Sequence, residues 1–426
     1  MKAESLPSGI RNWLHSIFQD SPFDLRLECW GDTQLAIDKS AQPDSSLVLQ
    51  IHHPGVIRAL LIDRDPLVLA EAYLKGYFDF NGRVEDLIVL GRYLARTATR
   101  SKQAISAWFQ ALTLPRLPWK QQMMGFWQQL RAHTIDRDRE VIQHHYDVGN
   151  DFYKLWLDPL LVYSCAHFPH PDATLAEAQE AKLDLICRKL QLQPGDTLLD
   201  IGCGWGSLLR WAVKHYGVKG YGITLSQEQV EFNQKRIAEE GLGGQLDVEL
   251  RDYRELPKQP TYDKIVSVGM IEHVGIENYP VYFQSALQAL KPGGLFLNHG
   301  INSSDRWNGS SVGERFINRY IFPDGELARL STTLAAAEDA GWEVADVDAW
   351  RIHYAKTLRH WAANLEREGD RASQLIGDRK LQIWRLYLLG SAMAFEENQM
   401  GVNQVLLRRK QDLHWNLPLT RDNWLV

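Results

Sequence analysis

Thr197-Leu198-Leu199-Asp200-Ile201-Gly202-Cys203-Gly204-Trp205-Gly206-Ser207 is the stretch on which the fold turns. Thr197 to Ile201 reads as a short buried strand, and the three alternate glycines after it read as a turn into the helix Trp205 to Tyr216. Glycine lacks a Cβ, so a backbone built from it can approach a ligand closely. In an open α/β sheet, ligands bind just beyond such strand ends. A glycine-rich turn alone does not separate one nucleotide-like ligand from another. The spacing here is Gly-x-Gly-x-Gly, however, and the next strand ends in Thr224-Leu225-Ser226. A nicotinamide site calls for Gly-x-Gly-x-x-Gly and an acidic residue at the end of that strand, about 20 residues on. Nicotinamide chemistry is therefore disfavoured.

The same alternation extends downstream. Lys219 to Thr224 reads as the second strand and Ser226 to about Glu240 as its helix, with Asp247 to Leu250 and Lys264 to Val268 as strands three and four. A helix from Tyr279 to Leu290 stops at Pro292-Gly293-Gly294, and Leu295 to His299 makes a further strand. Strands alternating with helices predict an α/β fold with a doubly wound parallel sheet.

Upstream the pattern differs. Short apolar runs such as Leu47-Val48-Leu49-Gln50-Ile51, broken by turn residues, predict a small α+β domain over 1–90 with a helical stretch from Pro66 to Leu74. Between Gly91 and Ile135 lie Arg92, Arg96, Arg100, Lys102, Arg116, Lys120 and Arg131 without one Asp or Glu, interleaved with Trp108, Phe109, Trp119, Phe126 and Trp127. A basic, aromatic segment of this kind fits docking on anionic lipid headgroups; it also fits a helix pair with a solvated basic face. The expected organisation is 1–90, a basic helical linker over 91–140, and a catalytic domain over 141–426.

A net charge of −6 argues against nucleic acid as a partner. Cys29, Cys165, Cys187 and Cys203 form no CxxC pair, so neither a zinc site nor a disulfide framework is expected, and a reducing cytoplasm is the simpler setting. No apolar run approaches the ~20 residues that span a bilayer, and the amphipathic start lacks a signal-peptide core. A lipid substrate would be met from the aqueous side.

Asp200 beside the first glycine resembles the arrangement of class I methyltransferases. Further segments narrow the resemblance: His145-Tyr146-Asp147-Val148-Gly149-Asn150-Asp151-Phe152-Tyr153, Tyr163-Ser164-Cys165-Ala166, Gly222-Ile223-Thr224-Leu225-Ser226, Glu272-His273-Val274-Gly275, Phe316-Ile317-Asn318-Arg319-Tyr320-Ile321-Phe322-Pro323 and Tyr354-Ala355-Lys356-Thr357-Leu358. Together, over roughly 140–410, they resemble the cyclopropane-fatty-acyl-phospholipid synthases, including the mycolic acid cyclopropane synthases. Arg64 to Phe80 resembles that family's N-terminal lipid-binding domain.

The resemblance implies an S-adenosylmethionine-dependent enzyme that turns a cis double bond of a phospholipid acyl chain into a cyclopropane, with bicarbonate as base. It implies contacts of Tyr163, Ser164, Asp200, Gly202 and Gly204 with the methionine end of the cofactor. Thr224, Leu225 and Gln229 would reach the ribose and adenosine, and Tyr253 and Arg254 the adenine. The bicarbonate cage would be Cys165, Glu272, His299, the backbone at Ile301, and Tyr354. A cytoplasmic homodimer, peripheral to the membrane, is implied as well. The same transfer giving a methyl- or methylene-branched chain stays open, as does a small-amine acceptor.

An alkene cannot be activated by deprotonation, so the double bond must be held in line with the methyl group in a dry pocket. The carbocation left behind could be stabilised by the faces of Tyr163, Phe316 and Tyr320. His144, His145 and His273 read as structural, and Asp147 as a cap for the helix starting near Asn150. The stretch Ser303 to Pro323, rich in Ser and Gly, reads as a long loop and candidate lid. Family members often carry a cysteine where this chain has Ser391; a bicarbonate base needs no thiol there.

Overall fold

The computed structural model describes residues 6–19, 21, 24–30, 33–37, 47–63, 65–97, 104–118, 149–307, 309, 311–323 and 325–425. His144, His145, Asp147 and most of the basic segment lie outside these residues. The chain divides into two compact units. The first comprises Met1–Met123 together with Ser310–Phe316 and Gly377–Gly390; the second comprises Met124–Gly309, Ile317–Ile376 and Ser391–Val426. Two short pieces of the C-terminal half thus belong to the first unit, a discontinuity that contiguous boundaries do not anticipate.

In the first unit, strands β1 (Leu25–Cys29), β2 (Thr33–Ile37), β3 (Leu47–Ile51) and β4 (Phe78–Asn81) form one sheet in the order β2-β1-β3-β4. β1 runs parallel to β3 and antiparallel to β2, and β3 is antiparallel to β4. Leu25, Leu27 and Cys29 alternate inward, as do Leu47, Leu49 and Ile51, the period-two signature of a sheet with one buried face. The predicted helix is Pro66–Leu74; Asp65 caps it by accepting from Leu67 N at 3.0 Å, and Pro66 occupies the first turn. The same carboxylate takes Arg315 through both oxygens, at 2.8 and 2.5 Å, which pins 310–316 to this unit.

The stretch expected as a lid loop is partly helical, and that expectation is corrected: a helix spans Val312–Tyr320. The reason is legible in Ser311-x-x-Glu314. Ser311 Oγ accepts from Glu314 N at 3.1 Å while Glu314 Oε2 accepts from Ser311 N at 3.0 Å, a reciprocal capping box.

The second unit is built on β5 (Thr197–Ile201), β6 (Lys219–Thr224), β7 (Leu246–Leu250), β8 (Tyr262–Val268), β9 (Leu290–Ser303), β10 (Trp342–Ala349) and β11 (Met400–Arg409), in the order β10-β11-β9-β8-β5-β6-β7. β5 to β9 pair in parallel, as expected, and β11 enters antiparallel between β9 and β10. β5 and β8 are neighbours although β6 and β7 lie on the other side of β5. The chain therefore reverses its direction of winding there and opens a crevice at the carboxyl ends. Leu199, Ile265, Phe283, Phe296 and Leu407 are fully buried, and Trp342 donates from Nε1 to Phe283 O at 3.1 Å. At ~3–5 kcal/mol for each large ring lost, this core holds the strand ends in place.

Candidate functional site

The turn after β5 is set by backbone geometry. Gly202, Gly204 and Gly206 have φ of 84°, 55° and 73°, a region that side chains disfavour. A Cβ on Gly206 would fall 1.9 Å from Asn233 Oδ1, whereas one on Gly204 would meet nothing within 4 Å. The loop is thus packed on one side and open on the other. Asn233 Nδ2 holds it by donating to Gly204 O at 2.8 Å.

Asp200 is buried beneath this loop, and its Oδ1 has no hydrogen-bond partner. Burial pushes its carboxyl up to about 7, against a lowering pull from Lys182. A buried, unpaired acceptor beside an open glycine turn fits the cationic methionine end of S-adenosylmethionine. Ser164 Oγ accepts from Lys182 Nζ at 2.9 Å. The Lys182 ammonium is itself buried, and this lowers its pKa to about 8 despite Asp158, Cys165 and Asp200. Tyr163 is ringed by Tyr153, Trp156 and Trp361 at 5.5, 5.5 and 5.3 Å between centroids.

At the end of β6, Thr224 Oγ1 donates to Gln229 Oε1 at 2.7 Å and accepts from Ser226 N at 3.2 Å. Ser226 caps the next helix through Gln229 N, so Thr224, Leu225 and Gln229 form one buried corner. After β7, Tyr253 is buried, and the Arg254 guanidinium lies 5.0 Å from its ring. Arg254 is anchored by Asp252 at 2.7 and 2.8 Å. The buried carboxylate of Asp252, passed over in the sequence, is what orders this turn.

The residues expected to cage an anion are linked as follows. Glu272 sits in the turn after β8, with Oε1 accepting from Ile301 N at 2.7 Å and Oε2 buried without a partner. Burial raises its carboxyl to about 7, outweighing the lowering by Ile301 N–H. The Ile301 N–H is therefore engaged by Glu272. Gly300 permits this approach, since a Cβ there would fall 2.3 Å from Ile271 Cγ2. His299 is buried, its Nε2 unpartnered. Burial, then Lys182 and Lys189, keep its ring neutral.

Trp350 draws the other members together. Its ring meets that of His299 edge-on at 5.3 Å. Its carbonyl accepts from Tyr354 N at 3.0 Å and from Cys165 Sγ at 3.8 Å. Cys165 is wholly buried, and this drives its thiol pKa up; it is a protonated donor and no nucleophile. Tyr354 packs on Phe395 at 4.7 Å. His273 meets Phe322 edge-on at 5.0 Å. Of the two further rings considered for a cation, Phe316 belongs to the first unit and Tyr320 to the second. The N-cap position of the helix Asn150–Trp156 is Gly149, with φ 84°; Asp147, expected as a cap, lies outside the described residues.

Lys182, Lys189, Trp350 and Gln404 escaped the sequence reading. The two lysines had a signal: Leu175, Ala178, Gln179, Lys182, Ile186 and Lys189 recur at helical spacing and are all buried.

Residues 133–405 match the family described as mycolic acid cyclopropane synthetase. The probable fatty acid methyltransferase of Pseudomonas putida is 40% identical over 94% of this chain and 95% of its own. Cyclopropane mycolic acid synthase 3 of Mycobacterium tuberculosis is 38% identical over 63% of this chain and 96% of its own. Among solved structures, the cyclopropane synthase MmaA2 from Mycobacterium tuberculosis aligns with a TM-score of 0.60 at 35% identity, covering 63% of this chain and 97% of that one. The mycolic acid cyclopropane synthase CmaA1 complexed with SAH and CTAB aligns with a TM-score of 0.61 at 36% identity, covering 64% and 98%. With an open glycine turn, an unpaired buried Asp200 and this match over most of its length, the chain belongs to the mycolic acid cyclopropane synthetase family of S-adenosylmethionine-dependent methyltransferases.

Proposed function

We propose that the chain methylates a cis double bond of a phospholipid acyl chain and closes it to a cyclopropane, with bicarbonate as the base. The observation that carries this reading is two buried, unpartnered polar atoms, Glu272 Oε2 and His299 Nε2, with Cys165 and Tyr354 tied to the His299 side through Trp350. Buried polar atoms left unpaired in a protein call for a ligand or ordered water.

S-adenosylmethionine, when bound, supplies the methyl group. Asp200 and the glycine turn orient its methionine end, and the aromatic ring around Tyr163 excludes water. Attack by an alkene leaves a carbocation, and ring closure removes a proton from the newly added methyl. Among the residues assigned to this site, burial holds Cys165 protonated and His299 neutral and leaves Glu272, raised to about 7, only partly ionised, so the reading gives the proton to a bound anion. A singly charged anion would accept from His299 Nε2–H, with Tyr354 assigned beside it by the family resemblance, while the Cys165 thiol donates to the carbonyls of Ala166 and Trp350. Glu272, with its pKa near 7, holds a proton at Oε2 for part of the time at neutral pH and shares it with that anion, which avoids two like charges side by side.

A lipid surface as partner is supported by the first unit. Ile105, Phe109 and Leu112 are 70%, 63% and 43% exposed at i, i+4 and i+7 on the helix Ala104–Thr113, within a segment that carries no acid. Exposed apolar residues beside basic ones suit an anionic membrane interface. Among the described residues no helix is long and apolar enough to cross a membrane. A methyl- or methylene-branched product is a second reading; the Pseudomonas putida relative is named only a probable fatty acid methyltransferase, which is compatible with either.

The test is mass spectrometry and proton NMR of lipid from vesicles of cis-unsaturated phospholipid, incubated with the protein, S-adenosylmethionine and bicarbonate. A gain of one methylene with loss of olefinic protons and appearance of high-field ring protons is expected. The same mass with a retained double bond would establish branching, and unchanged lipid would refute the acceptor.

A further inference from the structure

His299 is a cage member whose ring can donate from one nitrogen or the other, according to where its proton sits. Its Nδ1 faces Gln404 Nε2 at 3.2 Å. Those two residues lie directly opposite on β9 and β11, and Gln404 in turn lies opposite Asp348 on β10. Asp348, Gln404 and His299 therefore form a row across three strands on one face of the sheet.

Lys189, from the helix Leu175–Lys189, closes the row. Its Nζ donates to Asp348 Oδ2 at 2.6 Å and to Gln404 Oε1 at 2.8 Å, and it lies 5.4 Å from the Trp350 ring centroid. Lys189 and Gln404 are 2% and 1% exposed, so water does not compete for the bond between them; the Asp348 side chain at the outer end of the row is 31% exposed. An ammonium only donates, so the amide oxygen of Gln404 must face Lys189. The amide NH2 then faces His299 Nδ1, which must accept and carry no proton. The ring proton consequently resides on Nε2, the buried atom without a partner. Turning the amide over would set donor against donor at Lys189, and an imidazolium would do the same at Gln404.

We propose that Lys189 and Gln404 are positioning residues that lock His299 in the Nε2–H tautomer, making it a fixed hydrogen-bond donor to the anion bound beside it. The identity of that anion rests on the bicarbonate reading above. The tautomer does not, because it follows from the Lys189–Gln404–His299 geometry alone.

Full-length protein labelled with nitrogen-15 histidine tests the lock directly, with the His299 signals assigned as those lost in His299→Asn. Nδ1 should resonate as an unprotonated nitrogen and Nε2 as a protonated one. A protonated Nδ1 in the wild type overturns the proposal. Gln404→Glu sets an acceptor opposite Nδ1, so Nδ1 should become protonated; if it stays unprotonated, Gln404 does not control the ring. Gln404→Leu and Lys189→Met release the lock. Half-saturating bicarbonate should then rise roughly ten- to a hundredfold, the worth of a hydrogen bond to a charged group, with S-adenosylhomocysteine binding unchanged. Equal bicarbonate requirements in both variants and wild type would overturn the functional half of the proposal. Failure of the bicarbonate reading is distinguishable: wild-type turnover would then ignore bicarbonate removal, while the tautomer is still read by NMR. If either variant fails to fold, the wild-type spectrum alone decides the lock.

Discussion

Replacing Glu272 with Gln is expected to stabilise the protein at alkaline pH while abolishing turnover. Burial raises this carboxyl from 4.5 to about 7. A raised folded-state pKa means that the unfolded chain ionises first as pH rises. The stability contribution of the neutral carboxyl is complete below about 4.5, is lost progressively on the way up, and is gone once pH passes about 7. Wild type should therefore lose roughly 3 kcal/mol over that window relative to a non-titrating residue. Gln keeps the shape and an oxygen for Ile301 N–H but cannot ionise. Urea denaturation followed by tryptophan fluorescence, at pH 5 and pH 8, reads the difference. E272Q should exceed wild type by under about 1 kcal/mol at pH 5 and by roughly 2–3 kcal/mol at pH 8. Isothermal titration with S-adenosylhomocysteine should be unchanged, and lipid turnover should vanish. A stability difference independent of pH would refute the burial argument, and surviving turnover would refute the role assigned to Glu272.

Other sites give independent checks. Gly300→Ala drives a Cβ to 2.3 Å from Ile271 Cγ2, so it should cost ~1–3 kcal/mol by overpacking and reduce turnover by displacing the Glu272 turn; adding Ile271→Ala should restore part of both, and a fully stable, active single variant would refute the clash. Lys182→Met removes the cation that holds the Asp200 pKa down, so Asp200 should become neutral at pH 7. S-adenosylhomocysteine affinity should fall about tenfold there, the loss of one charge-assisted contact, and recover as pH rises toward 9; a loss independent of pH would count against Asp200. In the first unit, Asp65→Asn keeps the helix cap and loses only a partly exposed ion pair, under about 1 kcal/mol, whereas Asp65→Ala loses both, roughly 1–2 kcal/mol; equal effects in thermal melts would contradict the division. Ile105→Asp with Phe109→Asp should abolish co-sedimentation with anionic phospholipid vesicles without altering cofactor affinity, and undiminished binding would remove this helix from the membrane reading.

The parallel core β5 to β9 and the cofactor turn were legible before any coordinates because they are local. Apolar runs of strand length, glycines at alternate positions and Ser226 at a helix start each act over a few residues, and Gly206 shows why the spacing is fixed: Asn233 leaves no room for a side chain. Cys165, Glu272, His299 and Tyr354 were named through resemblance, since nothing local marks them. Cys165 lies 185 residues from Trp350, whose carbonyl its thiol meets.

What only the tertiary structure decided is the state of those groups. Whether Glu272 is charged depends on how fully the β8 turn is buried, and the proton on His299 depends on Gln404, 105 residues away. Sheet order also lay beyond the sequence, because β11 inserts antiparallel between β9 and β10 after helices that could have led elsewhere. It is that insertion that sets Gln404 opposite His299. Local propensity travels with the chain, whereas desolvation and cross-strand pairing exist only once distant segments have met. The sequence thus determined where the cofactor turn would lie and, by its motifs, which family it resembles, and the fold determined the protonation of the groups around it.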